Sequence, residues 1–395
     1  MDSAFPFTSN HKDCLMTTLI TNAHLISPDV ELRKAAILLD GNRIKKVLRP
    51  RDAKPAADHV FDAKGQMVVP GFIDTHFHGG MGYETTSDDP KAISIVAEAK
   101  LKEGVTSICP TTLTLPQEKL AASLKNIEAY RQKPAFSKVI GTHLEGPYIN
   151  PECIGAQNPA FLRKADIKEV LNLNKISPVS FVTYAVEMPG SLEFTEQLCA
   201  AGICPSCGHT NATFAQFEQG RQRGLKRLTH FCNQMAKLHH REIGLVGLGL
   251  YQDDVAIEMI CDKIHLCPDM IRLAFKVKPI DKIIIITDAM EATGLADGNY
   301  QPGGLAVVVS EGAARLAANG ALAGSTLQFN NALKNIAEVT GMPLSKLIKT
   351  TSLNQAISLG LKDLGKIEPG YVADLAVLDD DFRVTAVFVD GARKV

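Results

Sequence analysis

Between residues 67 and 286, apolar runs of strand length alternate with stretches of helical length. The runs lie at 67–73, 105–109, 138–141, 179–184, 202–206, 226–228, 255–260 and 282–286. They are apolar at successive positions rather than at every second one, so they read as strands buried on both faces, as in a parallel sheet wrapped by helices. Helical segments at 91–103, 117–132, 166–174, 191–201, 213–223 and 269–277 separate most of them. Eight such β-then-α units predict an α/β fold, a (β/α)8 TIM barrel, with a doubly wound open sheet as the competing arrangement.

Outside that region the pattern changes to short strands broken by turns. Strands are expected at 18–24, 35–39 and 43–48, with Asp40-Gly41-Asn42 as a turn, and again at 373–378 and 384–389 before Asp390-Gly391. Pieces at the two ends of a chain can pair into one flanking unit. The expected organisation is an N-terminal extension (1–16), a small β-sandwich domain built from 17–69 and 356–395, and a barrel domain over 70–355.

The polar residues fall at one end of the apolar runs. His76 and His78 follow the first run, His143 and Glu145 the third, His209 the fifth, His230 the sixth, Asp262 and His265 the seventh, and Asp288 the eighth. In a barrel the C-terminal strand ends form one face, where active sites are built. Residues two apart on an extended segment point the same way, so His76 and His78 can share an ion. The set Glu145, His209 and His230, with His76, His78 and Asp288, reads as a divalent-metal site; imidazole and carboxylate donors suit zinc, with iron, manganese or cobalt as alternatives. Such an ion acidifies water and polarises a carbonyl, the chemistry of amide or ester hydrolysis. Asp288 is placed to carry the proton and His265 to stabilise a developing oxyanion. His143 is read as supporting a ligand, and Asp74 as orienting the histidine loop.

Charge alters the picture little. With 42 Lys+Arg against 43 Asp+Glu the chain has no overall field for nucleic acid or an anionic membrane, so the partner is expected to be a small molecule. Nine scattered cysteines are odd in number and suit reduced thiols in the cytoplasm. No stretch reads as a signal peptide or a membrane span. Cys204-Pro205-Ser206-Cys207 reads as a buried strand rather than a redox motif, Gly244, Gly247 and Gly249 as loop or close packing rather than a phosphate loop, and Asp379-Asp380-Asp381 as a solvated turn. His239, His240 and Arg241 form the one dense cationic tract outside the histidine cluster, either a solvated surface run or a phosphate grip.

Together these residues resemble the amidohydrolase superfamily and, within it, the N-acetylglucosamine-6-phosphate deacetylases. The resemblance runs from about Leu19 to Val389. It rests on Pro70-Gly71-Phe72-Ile73-Asp74 with the histidine pair, His143-Leu144-Glu145-Gly146-Pro147, Gly208-His209-Thr210, Thr229-His230, His239-His240-Arg241-Glu242, Thr287-Asp288-Ala289 and Leu322-Ala323-Gly324-Ser325. Many other amidohydrolases carry a carbamylated lysine on the fourth strand; here Tyr184 and Glu187 follow that run. The resemblance implies one or two divalent ions per subunit, the principal one on Glu145, His209 and His230, and Asp288 as proton donor and acceptor. It implies that His265 contacts the substrate carbonyl and that Ala156, Gln157, Asn233, Gln234, Arg241, Asp262, Leu322, Ala323 and Gly324 contact sugar and phosphate, with His240 near the phosphate. It further implies a homodimer in which Arg241 reaches the neighbouring subunit's site.

Asn233-Gln234-Met235, Arg241-Glu242-Ile243-Gly244 and Lys263 depart from the usual family pattern at the sugar end, which leaves the galacto epimer open beside the gluco one. Other readings are an amidohydrolase acting on an N-acyl amino acid or cyclic amide, and a catalytically silent barrel that serves as a binding protein.

Overall fold

The computed structural model describes residues 16–395, so all of the expected N-terminal extension but Met16 lies outside the described residues. Eight parallel strands form a ring: β1 (Phe72–Phe77), β2 (Val105–Thr112), β3 (Thr142–Glu145), β4 (Val179–Tyr184), β5 (Cys204–Cys207), β6 (Arg227–Leu228), β7 (Ala256–Ile260) and β8 (Ile283–Ile286). Each pairs in parallel with the next. Between β8 and β1 the ring is shut just past the strand ends, where Asp288 N donates to His76 O at 2.9 Å and Thr287 Oγ1 donates to Asp74 Oδ2 at 2.6 Å. This closure decides for the barrel over the open sheet.

A helix follows every strand: α1 (Ala92–Lys102), α2 (Gln117–Arg131), α3 (Ile167–Asn174), α4 (Ser191–Ala200), α5 (Phe214–Arg221), α6 (Gly244–Tyr251), α7 (Pro268–Val277) and α8 (Phe329–Thr340). The six helices expected from the pattern are all present. The glycine-rich stretch read as loop and close helix packing is helix α6 from Gly244 onward, buried from Gly244 to Gly249. Glycine is a poor helix former, but a Cβ on Gly249 would stand 2.5 Å from the Phe231 ring. Close packing on the barrel overrides propensity there.

Two runs are cut differently from the expectation. The one read as 67–73 divides at Gly71, where a Cβ would stand 2.3 Å from Thr106 Oγ1. Met67–Pro70 joins the terminal sheet, antiparallel to Leu375–Leu378, while Phe72–Phe77 opens the barrel. The run read as 138–141 yields only Lys138–Val139, and the barrel strand proper is Thr142–Glu145.

The terminal segments form one eight-stranded set in the order Ala392–Arg393, Val384–Val389, Leu375–Leu378, Met67–Pro70, Thr17–Ser27, Val30–Asp40, Arg43–Leu48, with His59–Asp62 beside Thr17–Ser27. A bridge between Arg43 and Val372 folds the far edge back, and Ile20, Leu25, Ile37, Leu39, Leu375, Val377 and Phe388 share one core between the halves, as in a sandwich. Between β8 and α8 lies a three-stranded antiparallel sheet, Gly298–Tyr300, Val307–Ser310 and Ala313–Leu316, which the pattern reading did not foresee. Among the described residues no helix is long and apolar enough to cross a membrane.

Buried charge locks the seam. Lys100 of α1 lies 3.1 Å from Asp74 Oδ2 and 3.2 Å from Glu103 Oε2, and donates to Thr287 Oγ1 at 3.0 Å, with its side chain 2% exposed. Asp74 in turn binds Thr287. The group thus ties the strand of His76 to the strand end that carries Asp288. Lys100→Met removes the cation and leaves two carboxylates buried without it, at an expected cost of about 3–5 kcal/mol. Urea denaturation measures this, and a loss below about 1 kcal/mol would contradict the role.

Candidate functional site

The donors sit on strand ends or within two residues of them. His76 lies in β1 and His78 just beyond it; Glu145 ends β3; His209, His230 and Asp288 each stand two residues past β5, β6 and β8. His209, His230 and Asp288 have positive φ (48°, 31° and 51°), a region ordinary residues avoid. Each strand therefore turns as soon as it delivers its side chain. Gly208 permits the approach: a Cβ there would stand 2.7 Å from Thr229 Cβ, on the neighbouring strand end that carries His230.

The centre of the cluster is Glu145 Oε1. It lies 3.1 Å from His230 Nε2, 3.2 Å from His76 Nε2 and 3.4 Å from His209 Nε2. The other oxygen lies 3.2 Å from His78 Nε2, which is itself 3.2 Å from Asp288 Oδ1. Three of the rings are held from behind. His209 Nδ1 meets Cys153 O at 2.8 Å, His230 Nδ1 meets Asn233 O at 3.1 Å, and His76 Nδ1 meets Glu258 Oε2 at 3.0 Å. Those partners only accept hydrogen bonds, so they place each neutral ring's proton on Nδ1 and leave Nε2 as a bare lone pair. Two such lone pairs, on His209 and His230, face each other at 3.1 Å. Glu145 Oε1 and His76 Nε2 are buried without a hydrogen-bond partner. Lone pairs aimed at one another inside a protein need a cation among them, and nitrogen and carboxylate donors backed by fixed acceptors fit a divalent metal. Two triads of this kind adjoin: Glu145, His209 and His230, and His76, His78 and Asp288.

The same crowding shifts the protonation equilibria of the cluster. Burial opposes charge on His78, yet Asp288 and Glu145 hold its pKa up at about 9. Burial likewise opposes the anion of Glu145, but His76, His209 and His230 keep it well below the usual carboxylate range. His143 lies off this centre, its Nε2 2.7 Å from Thr183 Oγ1, and burial together with His76 pushes it down to about 3. It is a neutral support packed 4.6 Å from the His76 ring.

The cluster floors a cavity of about 250 Å3. Of the residues expected at the substrate, His265, Ala156, Gln157, Asn233, Gln234, Leu322, Ala323 and Gly324 line it, while Asp262, His240 and Arg241 do not. Asp262 stands behind His265, 2.7 Å from its Nδ1, and so leaves Nε2 for the cavity. Gln157 also has a structural duty: it donates to Glu145 Oε2 at 2.6 Å and accepts from Thr114 N at 2.7 Å. His240 and Arg241 are exposed on the loop between β6 and α6. Lys263 pairs with Glu338 at 2.8 Å and is absent from the cavity wall.

Sequence reasoning missed two parts. One is the apolar wall of Met290, Pro302, Leu305, Val307 and Leu316, supplied largely by the three-stranded insertion. A β-branched run at Val307, Val308 and Val309 ending in the turn residues Ser310-Glu311-Gly312 was the available hairpin signal. The other is Glu258, a charged residue in the middle of an apolar strand run, which bonds His76 and pairs with Arg227 at 2.7 Å. The cysteines at 204 and 207 lie in β5, and burial raises the Cys207 thiol to about 12, which removes it from redox chemistry near neutral pH.

Comparison with known proteins agrees with this geometry. A profile of the amidohydrolase family matches residues 67–394. An N-acetylglucosamine-6-phosphate deacetylase of Lysinibacillus sphaericus is 34% identical over 85% of this chain and 87% of its own length. An N-acetylgalactosamine-6-phosphate deacetylase of Escherichia coli is 35% identical over 86% and 90%. Among solved structures, a variant N-acetyl-D-glucosamine-6-phosphate deacetylase of Mycobacterium smegmatis in complex with N-acetyl-D-glucosamine-6-phosphate superposes with a TM-score of 0.89 at 30% identity, covering 96% of this chain and 99% of that one. With its barrel closed, its histidines and carboxylates gathered at the strand ends and its relatives matched over most of their length, this chain belongs to the amidohydrolase family.

Proposed function

We propose that the chain is a metal-dependent deacetylase that hydrolyses N-acetylglucosamine 6-phosphate to glucosamine 6-phosphate and acetate. The observation that carries this is the convergence of Glu145, His209 and His230 beside Asp288 on the floor of a cavity sized for a sugar. Support comes from relatives named for this reaction over most of the chain.

In this reading Glu145, His209 and His230 hold a divalent ion, and His76, His78 and Asp288 are a second place for one. Zinc suits the donors best, with iron, manganese and cobalt compatible. When bound, the ion lowers the pKa of water and draws electron density from the amide carbonyl. Asp288, held by His78, takes the proton from the attacking water and returns it to the departing sugar amine. His265, oriented by Asp262, bonds the substrate from the cavity side. Gln157 keeps Glu145 in place. The apolar wall of the insertion excludes water from the acetyl group.

Among the described residues that line the cavity there is no lysine or arginine, so a phosphate finds no permanent cation within this chain's pocket. Arg241, exposed at the outer loop, is the residue to supply it to a second copy, which makes the working form a homodimer. The eight described cysteines are all free, which supports a reducing, cytoplasmic setting. The barrel, 70–355, carries the chemistry and the terminal pieces, 17–69 and 356–395, buttress it. The galacto epimer is the second reading, favoured by the equally similar relative named for it.

Chelator-stripped protein should melt below the zinc-loaded form, by about 4 kcal/mol of stabilisation at a thousandfold excess over Kd, and Glu145→Gln should abolish most of that difference in a thermal melt. Asp288→Asn should cut turnover at least about 100-fold while the principal ion is retained; near-normal acetate release would refute the proton role. Arg241→Ala should lower kcat/KM by about 10–100-fold on phosphorylated substrate and little on the unphosphorylated sugar. Acetate release compared across the gluco and galacto 6-phosphates decides the epimer.

A further inference from the structure

We propose that Glu258 is the positioning residue that makes His76 a metal donor, and that it thereby sets whether the His76–His78–Asp288 end of the cluster holds an ion of its own. The proposal rests on the metal-dependent reading above and concerns how one of its donors is prepared.

Glu258 lies in the middle of β7, fully buried inside the barrel. Its two oxygens are divided. Oε1 takes Arg227, with Nε at 2.8 Å and Nη2 at 2.7 Å. Oε2 faces two donor-bearing residues, the His76 ring at Nδ1 (3.0 Å) and the His230 main-chain N (3.3 Å). Arg227 is itself buried and pinned: it donates to Thr75 Oγ1 at 3.0 Å and Ser358 Oγ at 3.1 Å, and lies 4.2 Å over the Phe181 ring. The guanidinium engages Oε1 and leaves Oε2 to the His76 ring and the His230 main chain. A salt bridge with only a structural duty would not need its second oxygen aimed at the cluster.

The consequence follows from imidazole tautomers. With Glu258 accepting from Nδ1, the neutral His76 ring has no proton on Nε2, and its lone pair faces Glu145 and Asp288. Without that acceptor the proton can sit on Nε2, bond to Glu145 and close the lone pair. His209 and His230 are oriented by neutral main-chain carbonyls, whereas His76 alone of the three is backed by a carboxylate, which also raises its basicity as a donor. In Glu258→Gln the amide oxygen must face Arg227, so the NH2 group turns toward His76 and imposes the wrong tautomer.

The test titrates metal-free protein with Co2+ and follows visible absorption and bound metal after gel filtration. Glu258→Gln is compared with the parent and with Glu258→Leu/Arg227→Met, which removes both buried charges together so that neither is left unpaired, and circular dichroism checks that each variant is folded. The parent should take two equivalents. Both variants should bind the first close to parent affinity and the second about 10–100-fold more weakly. Three results would overturn the inference: a second equivalent bound normally by the double variant, both equivalents weakened together, or a parent that takes only one. A parent that takes no cobalt at all would sink the metal reading itself, which sets that failure apart from this one.

Discussion

The site is organised around a repulsion. Glu145 Oε1 and the Nε2 atoms of His76, His209 and His230 are brought within 3.1–3.4 Å by strands that meet nowhere else in sequence. Each ring's proton is drawn to its far side by a carbonyl or a carboxylate. Such an arrangement calls for positive charge at its centre, and the barrel has to be stiff enough to hold it. The seam supplies part of that stiffness: Lys100, Asp74, Glu103 and Thr287 form a buried group that joins β1 to the end of β8. Donors from opposite ends of the barrel sequence are thereby fixed against each other.

The same logic explains why a barrel interior normally filled by branched apolar residues carries Arg227, Glu258 and His143 here. Each buried polar group costs free energy unless it is bonded, and these are bonded chiefly to one another and to the ring of hydroxyls from Thr75, Thr183, Ser206 and Thr229. The network lies directly beneath the cluster. Its polarity is tolerated because it orients the donors above it.

The architecture was legible because buried parallel strands and helices write different periods, and every strand of the barrel but β3, which lies just past its run, overlaps an apolar run. The donors were legible because they follow those runs. What blurred the boundaries is the same fact seen from the other side: His76, His143 and Glu145 belong to the strands themselves, so the apolar pattern stops before the strand does. Gly71 hides a domain crossing inside one apolar run, since a close approach to Thr106 leaves no trace in hydropathy. Helix α6 was masked by its glycines, and Glu258 by its apolar neighbours. Residue type alone cannot show which side of the barrel wall a lone carboxylate faces.

Chemistry and recognition are built from different materials in this protein. The donors of the cluster stand on strand ends or within two residues of them, where neighbouring backbone holds them. The cavity walls come from an inserted sheet, from the loop carrying Asn233 and Gln234, and from the turn at Leu322, Ala323 and Gly324. Those segments can change without disturbing the cluster. Of the departures from the family pattern, Gln234 falls in this wall, whereas Ile243 and Lys263 lie outside it, Lys263 paired with Glu338. The cluster is therefore fixed by the barrel, while the cavity above it is shaped by segments that the barrel does not constrain.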